Sequence, residues 1–355
     1  MRVDQLVPAY HRGDAIGDTA SHLKTFFLSQ GFASQIYCLS RDEGFESDSS
    51  LFEFFPKPSP EDITILHLAL PSPLTQAFRD LPSQKVMIYH NITPPEFFSR
   101  FSPELMRISE KGREELESLV PAVSLVLADS EYNRQEALKL GFPKAEVFPL
   151  FVDFDKYLRI PNPFLSEFYK DGRTNILFVG RIAPNKKIED LIRVTFYFKK
   201  HISPLVRLIV VGKLSTIPKY YESLIRLADE FYLQPEEIVF TGHIPDGDMF
   251  ALYQASDVFL SMSEHEGFGL PFIEAMIFDL PVIAYDCTAV SSTLEEAGVL
   301  FKEKNVAEVG ELVRKITSDR TLREKIIVSQ RERLSRFKRF EREPFLLQKI
   351  KELTR

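Results

Sequence analysis

Short apolar, β-branched runs alternate with longer amphipathic runs along this chain, and the alternation begins again near residue 174. That pattern is the one parallel strands and their connecting helices leave in a sequence, so the fold class expected is α/β. In the first half the strand candidates are Val3 to Pro8, Ser34 to Leu39, Ile63 to Leu68, Val86 to His90 and Ser124 to Ala128. In the second they are Asn175 to Val179, Val206 to Val211, Ile238 to Thr241, Val258 to Ser261 and Pro281 to Tyr285. Between the halves, Ile160-Pro161-Asn162-Pro163 and Lys170-Asp171-Gly172-Arg173 gather turn residues and place a hinge at 158–173. A chain of 355 residues exceeds the size at which one core keeps growing, so two domains of roughly 170 residues are expected. No 20–50-residue repeat stands out, and the two halves share an architecture rather than forming a solenoid.

Composition excludes several classes. Hydrophobic residues make up 44% and charged residues 27%, with no apolar run approaching 18 residues, which describes a folded globular chain rather than a fibre, a tail or a membrane span. The opening Met1-Arg2-Val3-Asp4 has no charged-then-apolar leader, and the two cysteines, Cys38 and Cys287, fall in separate halves without metal-ligand spacing. A cytoplasmic location is therefore expected. A formal charge of −7 argues against general nucleic-acid binding.

The densest chemistry lies in Ser263-Glu264-His265-Glu266-Gly267-Phe268-Gly269-Leu270-Pro271-Phe272-Ile273-Glu274-Ala275-Met276. Gly267, Gly269 and Pro271 argue against one continuous helix and for a loop with a helix starting near Pro271. The free amides of such a helix end bind phosphate, with Glu266 left in the loop and Glu274 one turn into the helix as acceptors for sugar hydroxyls. A second cluster, Gly180-Arg181-Ile182-Ala183-Pro184-Asn185-Lys186-Lys187, puts cations directly after a strand, where Arg can grip a diphosphate in bidentate fashion and Lys can add a compact charge. A Lys-rich turn by itself is usually only a solvated surface.

Three features of the first half carry weaker signals. Gly13-Asp14-Ala15-Ile16-Gly17-Asp18 follows the opening strand and suits a phosphate-facing turn, but it lacks the GxGxxG spacing, and a purely structural turn is the favoured reading. His90, in Tyr89-His90-Asn91-Ile92-Thr93, ends a strand where ligands gather, although a lone histidine is more often a satisfied structural group. Asp129-Ser130-Glu131 reads as a helix cap with Ser130 as the capping group.

Together these residues resemble the retaining glycosyltransferases of family four, the group 1 glycosyl transferases, which have the GT-B fold of two facing Rossmann-like domains. The E-x₇-E pattern of Glu266 to Glu274 and the GRIAPNKK run at 180–187 carry the resemblance, supported by Tyr253-Gln254-Ala255-Ser256-Asp257 and Pro281-Val282-Ile283-Ala284. The resemblance implies an N-terminal Rossmann-like domain over 1–160 on the acceptor side and a donor-binding Rossmann-like domain over 161–335. It also implies a C-terminal helix over 336–355 packing back on the first domain. Arg181, Lys186 and Glu266 would be the catalytic residues, and Gly17, His90, Gly180, Lys187, Gly267, Phe268, Gly269, Leu270 and Glu274 would bind the donor. Within that set Arg181 and Lys186 hold the diphosphate, Glu266 and His90 meet the sugar, and Glu274 binds the ribose, with Lys187 as the alternative phosphate ligand. The implied activity moves a hexose, with a lean to mannose, from a nucleoside-diphosphate sugar to a glycan or lipid-linked acceptor, keeping the anomeric configuration. No metal and no further cofactor is implied, and no Asp-x-Asp run like the metal-binding signature of the other main glycosyltransferase fold is expected. The alternatives are a sugar-nucleotide-binding protein without turnover and a phosphorylase- or synthase-type sugar transferase on the same fold.

Two departures from the family pattern concern donor contacts. Asp279 stands where the family often has Gly, and Val290-Ser291-Ser292-Thr293-Leu294 has Ser where Pro-Glu is common. The cation-rich stretch Arg331 to Arg342 reads as an amphipathic basic helix. A closing helix with a solvated basic face is favoured over a peripheral contact with the inner face of a membrane.

Overall fold

In the computed structural model, which describes residues 1–11 and 15–353, the chain forms two compact units. Unit 1 comprises Met1–Glu96, Glu104–Asp153 and Phe340–Arg355; unit 2 comprises Phe97–Pro103 and Phe154–Arg339. Each is an α/β layer structure around a sheet whose strand pairs, among the described residues, are all parallel.

The strands of unit 1 are β1 (Val3–Tyr10), β2 (Ile36–Arg41), β3 (Ser49–Leu51), β4 (Ile63–Leu68), β5 (Gln84–Tyr89), β6 (Leu125–Ala128) and β7 (Ala145–Val147), in the order β3-β2-β1-β4-β5-β6-β7. Helices cover both faces of a parallel sheet, so its strands read as near-continuous apolar runs; every residue of β4 and of β6 is buried. The helix Arg342–Leu353 completes one side of this core. Its Leu346 and Ile350 are fully buried among Val3, Ile63, Ile65, Val86 and Leu125. Lys349 and Lys144 tie the same helix to the sheet edge through Glu146 and Glu352, each at 2.6–2.7 Å.

Unit 2 has β8 (Thr174–Val179), β9 (Val206–Val211), β10 (Ile238–Gly242), β11 (Val258–Ser261), β12 (Val282–Tyr285) and β13 (Val299–Phe301), ordered β10-β9-β8-β11-β12-β13. The ten long strand candidates lie where the sequence places them, within two residues at the ends; the ends of β1, β2 and β5 shift by two. The three-residue edge strands β3, β7 and β13 were not among them.

The basic stretch is not one helix. A helix over Arg320–Arg339 ends, and Arg342–Leu353 begins anew. Apolar packing sets the break: Phe337 lies against Phe154 and Phe268 in unit 2, whereas Phe340 joins Phe345 beside the core of unit 1.

Candidate functional site

The strand order of unit 2 reverses direction between β8 and β11, because successive strands run outward from β8 to β10 and then from β11 to β13. Ligands of open parallel sheets bind at such a switch point, outside the carboxyl ends of the strands. The two motifs singled out by the sequence are the loops leaving β8 and β11.

After β8, the Gly180 N–H donates to the Val211 carbonyl at 2.9 Å. Gly212 then crosses over Gly180 so closely that a Cβ on it would stand 1.9 Å from the Gly180 oxygen, which only glycine permits. Arg181 follows, exposed, while Ile182, Ala183 and Pro184 are buried and anchor the loop beneath it. Among the described residues the Arg181 guanidinium has no hydrogen-bond or ion-pair partner. Surrounding protein lowers its pKa by desolvation while Glu266 acts in the raising direction, and its solvent contact limits that loss. A guanidinium starts so high that it stays cationic.

Asn185 joins the two loops. Its carbonyl accepts from the Glu264 N–H at 2.8 Å and its Nδ2 donates to the His265 carbonyl at 3.0 Å. This places Lys186 Nζ 2.6 Å from Glu266 Oε2, with the side chains 13% and 10% exposed. Lys187, in a left-handed conformation at φ 50° and ψ 47°, turns instead to Glu264 at 3.2 Å and Glu189 at 4.0 Å. Lys304, which the sequence reading missed, ties Glu264 at 2.8 Å to Asp190 at 3.2 Å. Beside this cluster the Cys287 thiol, pushed to about 12 by burial, donates to the Ser263 carbonyl and carries no charge at neutral pH.

The loop after β11 is held from below. The Glu266 N–H donates to Thr288 Oγ1 at 2.8 Å, and the Phe268 carbonyl accepts from Thr293 Oγ1 at 2.6 Å. Thr293 belongs to the segment where the family commonly has Pro-Glu, and here its hydroxyl supports the loop. Gly269 caps the helix Leu270–Ile277 at φ 87° and ψ 56°, so the helix starts one residue before Pro271. The N–H groups of Gly267, Phe268, Gly269 and Leu270 have no protein acceptor among the described residues. Four consecutive open amides at a helix N-terminus, beside Arg181 and Lys186, form an arrangement suited to an anion.

Glu274 does not sit open in this loop. The helix turns it inward to 6% exposure, where Tyr157 donates to Oε1 at 2.9 Å and Tyr253 to Oε2 at 2.8 Å. Burial raises its pKa, opposed first by the Tyr253 and then by the Tyr157 hydroxyl. Asp279 follows the same helix at φ 53°, a left-handed position at which glycine is unstrained, and pairs with Arg331.

In unit 1, Gly17 lies in the first turn of the helix Ala15–Ser29, and a Cβ there would stand 2.8 Å from the His11 carbonyl. Gly13 and Asp14 of that turn lie outside the described residues. His90 and Asp129 leave the carboxyl ends of the neighbouring strands β5 and β6. The His90 side chain is 3% exposed, with Nδ1 2.8 Å from Asp129 and Nε2 3.0 Å from His67 Nδ1. Gln5 fixes the protons of this chain. Its Nε2 donates to the Ala20 carbonyl, so its Oε1 accepts from His67 Nε2–H at 3.0 Å. Burial and then the charge of His90 hold the His67 pKa well below the usual value, so His67 is neutral and its bare Nδ1 accepts from His90 Nε2–H. Both His90 nitrogens are thus engaged by protein. Ser130 caps its helix by accepting from the Asn133 N–H at 3.2 Å, and Asp129 Oδ1 is buried without a hydrogen-bond partner among the described residues.

The chain does contain Asp-x-Asp triplets, Asp153-Phe154-Asp155 and Asp246-Gly247-Asp248. Asp246 pairs with Lys156 and Arg159, and Asp248 accepts from Asn162 Nδ2. Among the described residues no group of three or more His, Cys, Asp or Glu side chains gathers to hold a metal, and no helix is long and apolar enough to cross a membrane.

Residues 165–333 match the family model for glycosyl transferases group 1. The serotype-specific mannosyltransferase WbdA of Escherichia coli is 28% identical over 41% of this chain and 17% of its own length. The O-antigen chain mannosyltransferase B of Escherichia coli is 25% identical over 67% of this chain and 62% of its own. The chain therefore spans less than two thirds of either relative. Among solved structures, that of Anabaena Alr3699/HepE in complex with UDP and glucose aligns with a TM-score of 0.76 and 18% identity, covering 100% of this chain and 99% of that one. Residues 165–333 thus resemble the glycosyl transferases group 1 family, on a GT-B fold of two parallel-sheet units.

Proposed function

We propose that the chain is a glycosyltransferase that moves a hexose from a nucleoside-diphosphate sugar to a hydroxyl of a glycan or lipid-linked acceptor, with retention and without a metal. One observation carries the reading. The unpartnered Arg181 cation, the Lys186–Glu266 pair and the four open amides of Gly267 to Leu270 converge at the switch point of unit 2.

Without donor, Lys186 is spent on Glu266. An arriving diphosphate offers that ammonium a stronger partner and releases the Glu266 carboxylate to accept from sugar hydroxyls. Arg181 gains its first partner on the departing diphosphate, whose charge grows as the glycosidic bond breaks, so it favours the transition state over the bound donor. A phosphate oxygen of the leaving group takes the acceptor proton, and no protein carboxylate forms a covalent intermediate. Retention rests on the family resemblance. The mannose assignment draws on the two mannosyltransferase relatives, and the nucleoside diphosphate on the UDP bound in the Anabaena neighbour. A membrane contact through the basic stretch has less support, because Arg331, Arg333, Arg336 and Arg342 are spent on acceptors of the protein itself.

The test is product analysis with GDP-mannose and UDP-glucose, each with and without excess chelator, reading the anomeric proton coupling of the product. A product that keeps the donor configuration in chelator is expected. An inverted product, or complete loss of activity with chelator, refutes the handling of charge described here. Donor binding without any transfer across an acceptor panel would instead indicate a binding protein.

A further inference from the structure

A lone carboxylate at 6% exposure would be costly, and Glu274 is not alone. The two hydroxyls that meet it come from separate elements: Tyr157 from the single-turn helix Phe154–Leu158 and Tyr253 from the helix Asp246–Ala255. Apolar packing fixes both rings. Tyr253 stacks on Phe278 at 5.2 Å and 10°, and Tyr157 lies 5.3 Å from Phe250 and 6.1 Å from Phe278. Rings so held set the plane of the carboxylate through their O–H groups. Each carboxylate oxygen has two acceptor directions, so one direction on each remains after the tyrosines are satisfied.

We propose that Tyr157 and Tyr253 are positioning residues for the nucleoside end of the donor, holding the Glu274 carboxylate ionised and turned so that its remaining acceptor directions meet the two ribose hydroxyls. The inference rests on the donor reading above. A ribose offers two neighbouring O–H donors, and a carboxylate fixed in its plane accepts one on each oxygen; a protonated or rotated carboxyl loses an acceptor. The other charged groups acting on Glu274 are Lys156, which favours the ionised form, and Asp246, which opposes it. Removing one tyrosine hydroxyl takes away part of what opposes burial, so the carboxyl takes up a proton at a still higher pH.

The experiment titrates GDP and UDP into wild type, Tyr157→Phe and Tyr253→Phe by calorimetry, and follows kcat/KM with pH. Each variant is expected to raise the Kd of the diphosphate that wild type binds by about tenfold, or about 1.4 kcal/mol, the scale of one hydrogen bond to a charged group. The donor KM should rise with it while kcat changes little, and the acid limb of kcat/KM should move to higher pH. Glu274→Gln, which cannot titrate, should abolish that limb and keeps the test decisive if a Phe variant folds poorly. A folded Phe variant with unchanged Kd and an unmoved limb overturns the inference, as does a Glu274→Gln enzyme that keeps the limb. If wild type binds neither diphosphate, the donor reading fails and this inference fails with it; wild-type binding with unaffected variants sinks the inference alone.

Discussion

Gly269→Ala is the substitution whose cost can be worked most directly from the structure. Gly269 caps the helix Leu270–Ile277 at φ 87° and ψ 56°, where an L side chain pays about 1–2 kcal/mol. The added Cβ would stand 2.5 Å from Cδ2 and 2.6 Å from Cε2 of Phe272. Phe272 cannot simply swing aside, because its ring is 2% exposed and packs edge-on against Phe259 at 5.8 Å and 81°. Overpacking of this kind costs about 1–3 kcal/mol. Against both stands the roughly 0.4–1 kcal/mol gained because alanine restricts the unfolded chain. The net loss expected is about 1–5 kcal/mol, and with a urea slope of about 1–3 kcal/mol per molar it moves the midpoint of unit 2 down by about 0.3 M or more. The chain has no tryptophan, so far-UV circular dichroism is the probe, with two transitions allowed because the chain has two units. Phe272→Leu separates the two causes: in Gly269→Ala/Phe272→Leu the clash is relieved, and the double variant should lose less than the sum of the single ones by about 1 kcal/mol. A midpoint for Gly269→Ala within error of wild type, or strict additivity in the cycle, would refute the account of this turn.

Arg181→Ala should lower kcat by about 10²–10³-fold, the roughly 2.7–4 kcal/mol of a lost charge-stabilising donor, and leave the urea midpoint unchanged because Arg181 is exposed and its guanidinium has no hydrogen-bond or ion-pair partner among the described residues; unaltered turnover in a donor-consumption assay would remove it from the catalytic set. His67 governs part of the acid stability: its folded pKa is depressed below 6.5, so its contribution is fully present above that value and is lost as the pH falls toward the folded pKa. Urea midpoints measured from pH 7 to pH 5 should fall less steeply in His67→Gln than in wild type, and equal slopes would show that the acid sensitivity lies elsewhere.

The fold was legible wherever a strand is covered on both faces. Ile63–Leu68 and Val206–Val211 are buried at every position, so their apolar runs needed no partner information to be recognised. Ser49–Leu51, Ala145–Val147 and Val299–Phe301 are three residues long, too short for any period to show, and they are strands only because β2, β6 and β12 offer them a register. The break in the basic stretch was hidden for a different reason. Phe337 and Phe340 lie three residues apart and suit one helical face, yet their apolar surroundings belong to different units. Periodicity describes a local face and carries no record of which core receives it.

The same limit explains what could be read of the site. Arg181, Lys186 and Glu266 were visible because each belongs to a short motif, and the adjacency of β8 and β11 then brings the motifs together. The partners of Glu274 were not visible, since Tyr157 and Tyr253 stand 117 and 21 residues away and meet it only through tertiary packing. His67 was hidden inside an ordinary apolar strand, and Lys304 in a turn with no motif around it. Two of these omissions change the surroundings of residues the sequence did single out: His67 engages a nitrogen of His90, and the tyrosines turn Glu274, expected as an open acceptor one turn into its helix, into a carboxylate with one fixed direction left on each oxygen. Motif spacing can name the groups that approach a donor. Their remaining hydrogen-bonding capacity is set by neighbours that the fold supplies, and that capacity decides which of them can act.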